Sequence, residues 1–150
     1  MIIKKREEIE KMVSIDLNII RSLAKKIGPK YPQINSIYLF GSVARAEVDN
    51  ESDIDLFFLI DGKCSNFFDV LVRDEDYKSL EDWALEKVEG GLTPLICNTE
   101  ELVNDFQTLY DKLLLEGIRL FGSDLKELES TMRHKKKDDG PSLLDLIRTL

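Results

Sequence analysis

Apolar residues recur at helical spacing at the start of the chain, through Ile9, Met12, Val13, Ile19, Ile20, Leu23 and Ile27. The run "GPKYP" from Gly28 ends the pattern with a glycine and two prolines, so the spacing predicts an N-terminal helix with a break near Ser14. "INSIYLF" then reads as a strand, and "SVARA" after Gly41 as the first turn of a short helix. "DIDLFFLI" is nearly all apolar beyond Asp55, the pattern of a strand covered on both faces. After a polar turn, "DEDYKSLEDWALEKVE" is helical through Tyr77, Leu80, Trp83, Ala84 and Val88, and Gly90 and Gly91 stop it. "LTPLIC" is a third strand. Asn98 and Glu101 form a helix-capping pair, followed by one helix with the stripe Leu102, Phe106, Leu109 and Leu113. "GIRLFG" closes the series as a short fourth strand.

Strands alternating with helices predict an α/β (α+β) domain, a small mixed β-sheet flanked by helices. From Ser123 the pattern turns into a polar helix. The expected domain covers residues 1–132, and 133–150 hold a linker, "HKKKDDGP", and an amphipathic helix with Leu143, Leu144, Ile147 and Leu150 on one face. That last helix either packs back on the domain or meets another chain, including a second copy in a homo-oligomer.

Composition narrows the function classes. A chain of 150 residues buries about 70% of its unfolded surface, enough for a core without staples. The net charge of −8 argues against wrapping a nucleic-acid backbone, since such binding rests on Lys and Arg neutralising phosphates. Cys64 and Cys97 are too few and too far apart for a zinc cage or a disulfide framework. No apolar run reaches the roughly 18 residues of a membrane span, so the expected place is the cytoplasm.

The candidate chemistry lies between residues 38 and 58, "YLFGSVARAEVDNESDIDLFF". Asp53 and Asp55 are two apart at the head of a strand, so their side chains share a face with alpha carbons roughly 6.6 Å apart. Two such carboxylates can hold a divalent ion, and oxygen ligands of this kind suit magnesium shared with substrate phosphates. A lone D-x-D is more often a charged strand entrance. Gly41 and Ser42, at the end of the preceding strand, supply what it lacks: backbone that can approach a phosphate closely and a hydroxyl to receive its oxygens.

The ensemble resembles the nucleotidyltransferase superfamily typified by DNA polymerase beta, and most closely its minimal single-domain members. Gly41, Ser42, Ala44 and Arg45, then Ser52, Asp53, Asp55 and Leu56, stand in the register of the Gly-Ser, Ala-Arg-Gly and Ser-Asp-x-Asp signature. The likeness extends over residues 10 to 122. It implies the polymerase beta-like fold, with Gly41, Ser42, Arg45 and Ser52 binding the nucleotide and Asp53 and Asp55 as catalytic residues and metal ligands. It also implies transfer of a nucleoside monophosphate from a nucleoside triphosphate such as ATP to an acceptor hydroxyl, with Mg2+ and release of pyrophosphate. Nucleic acid enters only as a conceivable acceptor. The alternative is a degenerate, non-catalytic module, antitoxin-like, that binds nucleotide or a helical partner of the HEPN type.

Two departures bear on that choice. Ala46 stands where the family has Gly, which matters if the position needs a positive φ. Active family members carry a third carboxylate on a neighbouring strand, and "LTPLIC" offers only Thr93 or Pro94 there. Asp69 is a substitute if "FFDVLV" forms a strand beside Asp55; Glu89 and Glu100 flank the third strand. Asp49 and Glu51 extend the acidic run. His134 reads as a solvated linker residue, and Cys97, Tyr77 and Trp83 as core.

Overall fold

The computed structural model describes residues 16–48, 52–63 and 66–127. Strands β1 (Ile34–Phe40), β2 (Ile54–Ile60), β3 (Leu92–Asn98) and β4 (Ile118–Gly122) form one mixed sheet in the order β3-β2-β1-β4. β1 runs antiparallel to both β2 and β4, while β2 and β3 are parallel. This is the mixed sheet flanked by helices that the sequence predicts. Pro94, which has no N–H to donate, falls on the edge strand β3.

Helix α1 (Leu17–Ile27) starts where the Asp16 carboxylate accepts the Asn18 amide, 2.9 Å away, and stops in a 3-10 turn at Gly28–Lys30. The apolar positions Ile9, Met12 and Val13, and the break near Ser14, lie outside the described residues. Beyond β1 come α2 (Gly41–Ala44), α3 (Phe67–Leu71), α4 (Glu75–Lys87), α5 (Thr99–Asn104) and α6 (Gln107–Glu116). The linker and amphipathic segment at 133–150, with His134, also fall outside the described residues, as do Asp49 and Glu51.

Alternation along the strands sorts the core into two layers. Ile37, Leu39, Ile54, Leu56, Phe58, Ile60 and Leu120 pack against α1 and α4 through Ile20, Ala24, Ile27, Tyr77, Leu80 and Ala84. Tyr38, Phe57, Leu59 and Cys97 pack against Leu102, Tyr110 and Leu113 of α5 and α6. Burying each such large apolar side chain contributes about 1.5–3 kcal/mol. β2 is therefore covered on both faces. Asp55, at the parity of Phe57 and Leu59, opens the α6 side of the sheet.

Two expectations change. The single helix predicted after Asn98 is two: α5 begins with the Asn98–Glu101 capping box but ends at Asn104, and α6 starts afresh after Phe106. The stripe Leu102, Phe106, Leu109, Leu113 keeps helical intervals across the break, although Phe106 is exposed. "FFDVLV" is helix α3 and not a strand, so Asp69 is an exposed helical acid and no substitute ligand beside Asp55.

The start of α4 is tied back to the end of α1. Asp74 is buried and accepts the amides of Asp76 and Tyr77 (3.0 Å each), the Tyr31 hydroxyl (2.7 Å) and the Lys30 ammonium (3.0 Å). Lys30 also pairs with Asp76 at 2.5 Å.

Candidate active site

The antiparallel register places Phe40 opposite Asp55, so the end of β1 and the head of β2 meet at one edge of the sheet. Parallel pairing then sets Thr93 of β3 opposite Asp55 on the other side. Gly41, Asp53, Asp55 and Thr93 thus converge from three strands. No other part of the described chain gathers the signature residues.

Gly41 follows Phe40 with φ +78°, and a Cβ built on it would overlap the Asp55 carboxylate oxygen Oδ2. Only glycine allows the turn to press against the acid in this way. The next residues form a compact helical turn: Arg45, Ala46 and Glu47 amides donate to the carbonyls of Gly41, Val43 and Ser42 at 3.1, 3.1 and 2.8 Å. The last two bonds are the pair that ends a helix on a left-handed residue, and Ala46, with φ 57°, fills that place. It is the one non-glycine residue with positive φ among those described, so the departure from the family's Gly falls where a β-carbon costs about 1 kcal/mol or more.

Asp55 is half-buried beside Asp53. Burial, then the Asp53 charge and a hydrogen bond with the Asp53 carboxyl, push the Asp55 carboxyl up to about 7, while Arg45 partly opposes them. The pair thus holds a proton near neutrality, as two carboxylates do when both cannot be charged together. A divalent cation would replace that proton. Thr93 Oγ1 donates to Asp53 Oδ2 at 2.5 Å, and the Ser52 carbonyl accepts the Gly90 amide at 3.2 Å, so Ser52 is a buried neighbour that anchors the loop.

Magnesium is the cation the resemblance implies, and the donors fit it. Two oxygen-bearing acids lie together, crowded by Gly41, in the kind of site that completes a hard ion with phosphate oxygens. Among the described residues, no group of three or more His, Cys, Asp or Glu side chains could hold a metal.

Arg45, expected to bind the nucleotide, is exposed beside the Gly41 turn. Its Nε donates to Glu47 at 3.0 Å and its Nη1 to Glu116 at 2.9 Å, tying α2 to the end of α6. Glu89 is exposed in the turn before Gly90, and Glu100 sits on α5 at the far end of β3. Tyr77 is core, packed on Phe58, and Trp83 lies against the same layer. Cys97 is buried, and its thiol is pushed up to about 11 by burial and then by Glu101, unlike a nucleophile. A hollow of about 370 Å³ lined by Asp61, Lys63, Asn98 and Glu100 opens at the opposite end of β2, away from the signature.

Sequence comparison agrees with this geometry. The chain belongs to the polymerase beta nucleotidyltransferase family ("Polymerase beta, Nucleotidyltransferase"), which matches residues 22–124. Among curated proteins, none matches the chain. Solved structures give distant likenesses. One is a toxin–antitoxin crystal structure with AMP-PNP, at 20% identity, covering 83% of this chain and 92% of that one, with a TM-score of 0.48. Another is a tri-AMPylated HEPN toxin in complex with an MNT antitoxin from Shewanella oneidensis, at 18% identity, covering 81% and 89%, with a TM-score of 0.43. No helix among the described residues is long and apolar enough to cross a membrane.

Proposed function

We propose that the protein transfers a nucleoside monophosphate from a nucleoside triphosphate to an acceptor hydroxyl. The observation that carries the reading is the contact between Gly41 and Asp55, which joins the two halves of the family signature at one sheet edge. In the reaction the acceptor oxygen bonds the α-phosphorus as the bond to pyrophosphate breaks, and the acceptor proton is released. Asp53 and Asp55 would hold magnesium, which when bound neutralises charge on the phosphates and aligns attacking and leaving oxygens. Gly41 and Ser42 offer backbone and hydroxyl to the terminal phosphates. Arg45, paired with Glu47 and Glu116, fixes the helical turn that presents them. Catalysis here is mainly positioning and charge neutralisation.

The test is titration calorimetry with ATP, GTP, CTP and UTP, with and without magnesium, repeated on Asp53→Asn and followed by a pyrophosphate-release assay. Magnesium-dependent binding and turnover that vanish in a folded Asp53→Asn protein are expected. Turnover unchanged in that variant would sink the assignment.

One observation favours a second reading. Thr93 and not an acid stands opposite Asp55, so the site has a neutral donor where the resemblance implies a third carboxylate. In this reading the protein binds nucleotide without transfer and acts as the antitoxin-like partner of a HEPN-type helical protein. It predicts magnesium-dependent nucleotide binding with no pyrophosphate release, and co-purification with a co-expressed HEPN-type protein. Pyrophosphate release dependent on Asp53 rules it out.

A further inference from the structure

Asp53 lies one residue before β2 and is gripped from the β3 side. The Ser52 carbonyl accepts the Gly90 amide at 3.2 Å, and the Ile54 amide donates to the Gly91 carbonyl at 2.8 Å, so both flanking peptides are bonded to one turn. A Cβ on Gly90 would lie 2.8 Å from the Asp53 Cβ and 3.0 Å from the Ser52 carbonyl oxygen, so glycine lets the turn lie flush against the aspartate. Backbone is thereby fixed, but the carboxylate torsion of an aspartate is intrinsically broad. Thr93 Oγ1, two residues beyond the turn, donates to Asp53 Oδ2 at 2.5 Å and holds that carboxylate from the β3 side, while the Asp55 carboxyl bonds it from within β2.

We propose that Thr93 is a positioning residue, whose hydroxyl holds the Asp53 carboxylate ready for a divalent cation; this rests on the transfer reading above. A donor bonded to one carboxylate oxygen leaves the other for the cation and fixes the rotor before binding, which lowers the ordering cost of association. The β3 side thus steers the ligand set without adding a third charge to it. Thr93 itself is exposed on an edge strand, so a β-branched apolar residue of the same shape fits there without disturbing the core.

The experiment compares wild type, Thr93→Val and Thr93→Ser by calorimetric titration with Mn2+ alone and with Mg·ATP, with melting curves for all three. Loss of a group that orients a metal ligand typically costs about 10- to 100-fold in affinity. The expected result is roughly tenfold weaker Mn2+ and Mg·ATP binding by Thr93→Val, with Thr93→Ser within about twofold of wild type. Equal affinity in Thr93→Val and wild type overturns the inference and leaves the transfer reading intact. A loss as large in Thr93→Ser as in Thr93→Val overturns it too, because the methyl and not the hydroxyl would then matter. Wild type that binds neither Mn2+ nor Mg·ATP overturns both readings together.

Discussion

Asp74 and Asp55 are both drawn out of water, at opposite places in the fold and into opposite company. Burial alone would raise the Asp74 carboxyl, but the Tyr31 hydroxyl, the Tyr77 amide and the Lys30 ammonium outweigh it and hold it below its ordinary value. Asp55 has burial and Asp53 acting in the same direction and is pushed up to about 7. The difference shows how one residue type serves two ends. Where donors surround the acid, its charge fastens α4 to the end of α1. Where a second acid faces it, Arg45 offsets the crowding only in part, and a divalent cation is the partner that would satisfy the charge.

That contrast can be broken most severely at Asp74. Asp74→Ala removes a helix cap and leaves Tyr31 without its acceptor, so a loss of about 2–4 kcal/mol in chemical denaturation is expected. A loss below about 1 kcal/mol would mean that the clamp is decorative.

The next effect has the opposite sign. A folded-state carboxyl raised to about 7 favours the neutral form, so its contribution is present below the unfolded value near 4 and is lost as pH rises through about 7. Asp55→Asn has no such proton to lose. Without divalent ions, wild type should therefore lose melting temperature relative to Asp55→Asn between pH 5 and pH 8, and magnesium binding by wild type should tighten over the same interval. Parallel melting curves across that range would contradict the raised Asp55 carboxyl. Asp74, with its lowered value, titrates away from this window.

The smallest change sharpens the comparison by relieving strain beside the site without touching either acid. Ala46→Gly should stabilise the protein by about 0.5–1 kcal/mol, since glycine removes the left-handed penalty but adds freedom to the unfolded chain. Thermal melting reads it, and a lower melting temperature would deny that Ala46 is strained.

Much of this was legible in the chain. β1 and β2 close on the apolar runs Ile37–Phe40 and Leu56–Ile60, with Pro32 and Gly41 bounding one strand and Asp53 and Gly62 the other, and such punctuation locates strands. Gly41, Asp53 and Asp55 were visible because their chemistry and spacing are local. The break between α5 and α6 was hidden, because an apolar stripe with intervals of three and four looks the same whether or not the backbone is continuous. The tie from Arg45 to the end of α6 was hidden for another reason. Its partner Glu116 is 71 residues away, and no local pattern announces such a pair. In the sequence Thr93 marks only the absence of an acid, and its bond to Asp53 depends on the register of β3 against β2.

The order of the sheet also has a consequence for how the chain assembles. β1 gains its β2 edge from sequence that follows almost at once, whereas its other edge waits for β4, and the bond from the Leu125 amide to the Tyr38 hydroxyl spans 87 residues. During synthesis the acidic edge and its glycine turns can therefore form while one side of β1 still presents unpaired amides and carbonyls. An open strand edge of that kind is a template for pairing with another chain. Closure by β4 is thus the more non-local of the two pairings of β1, and non-local strand pairing is the kind that forms slowly and leaves a growing chain open to aggregation.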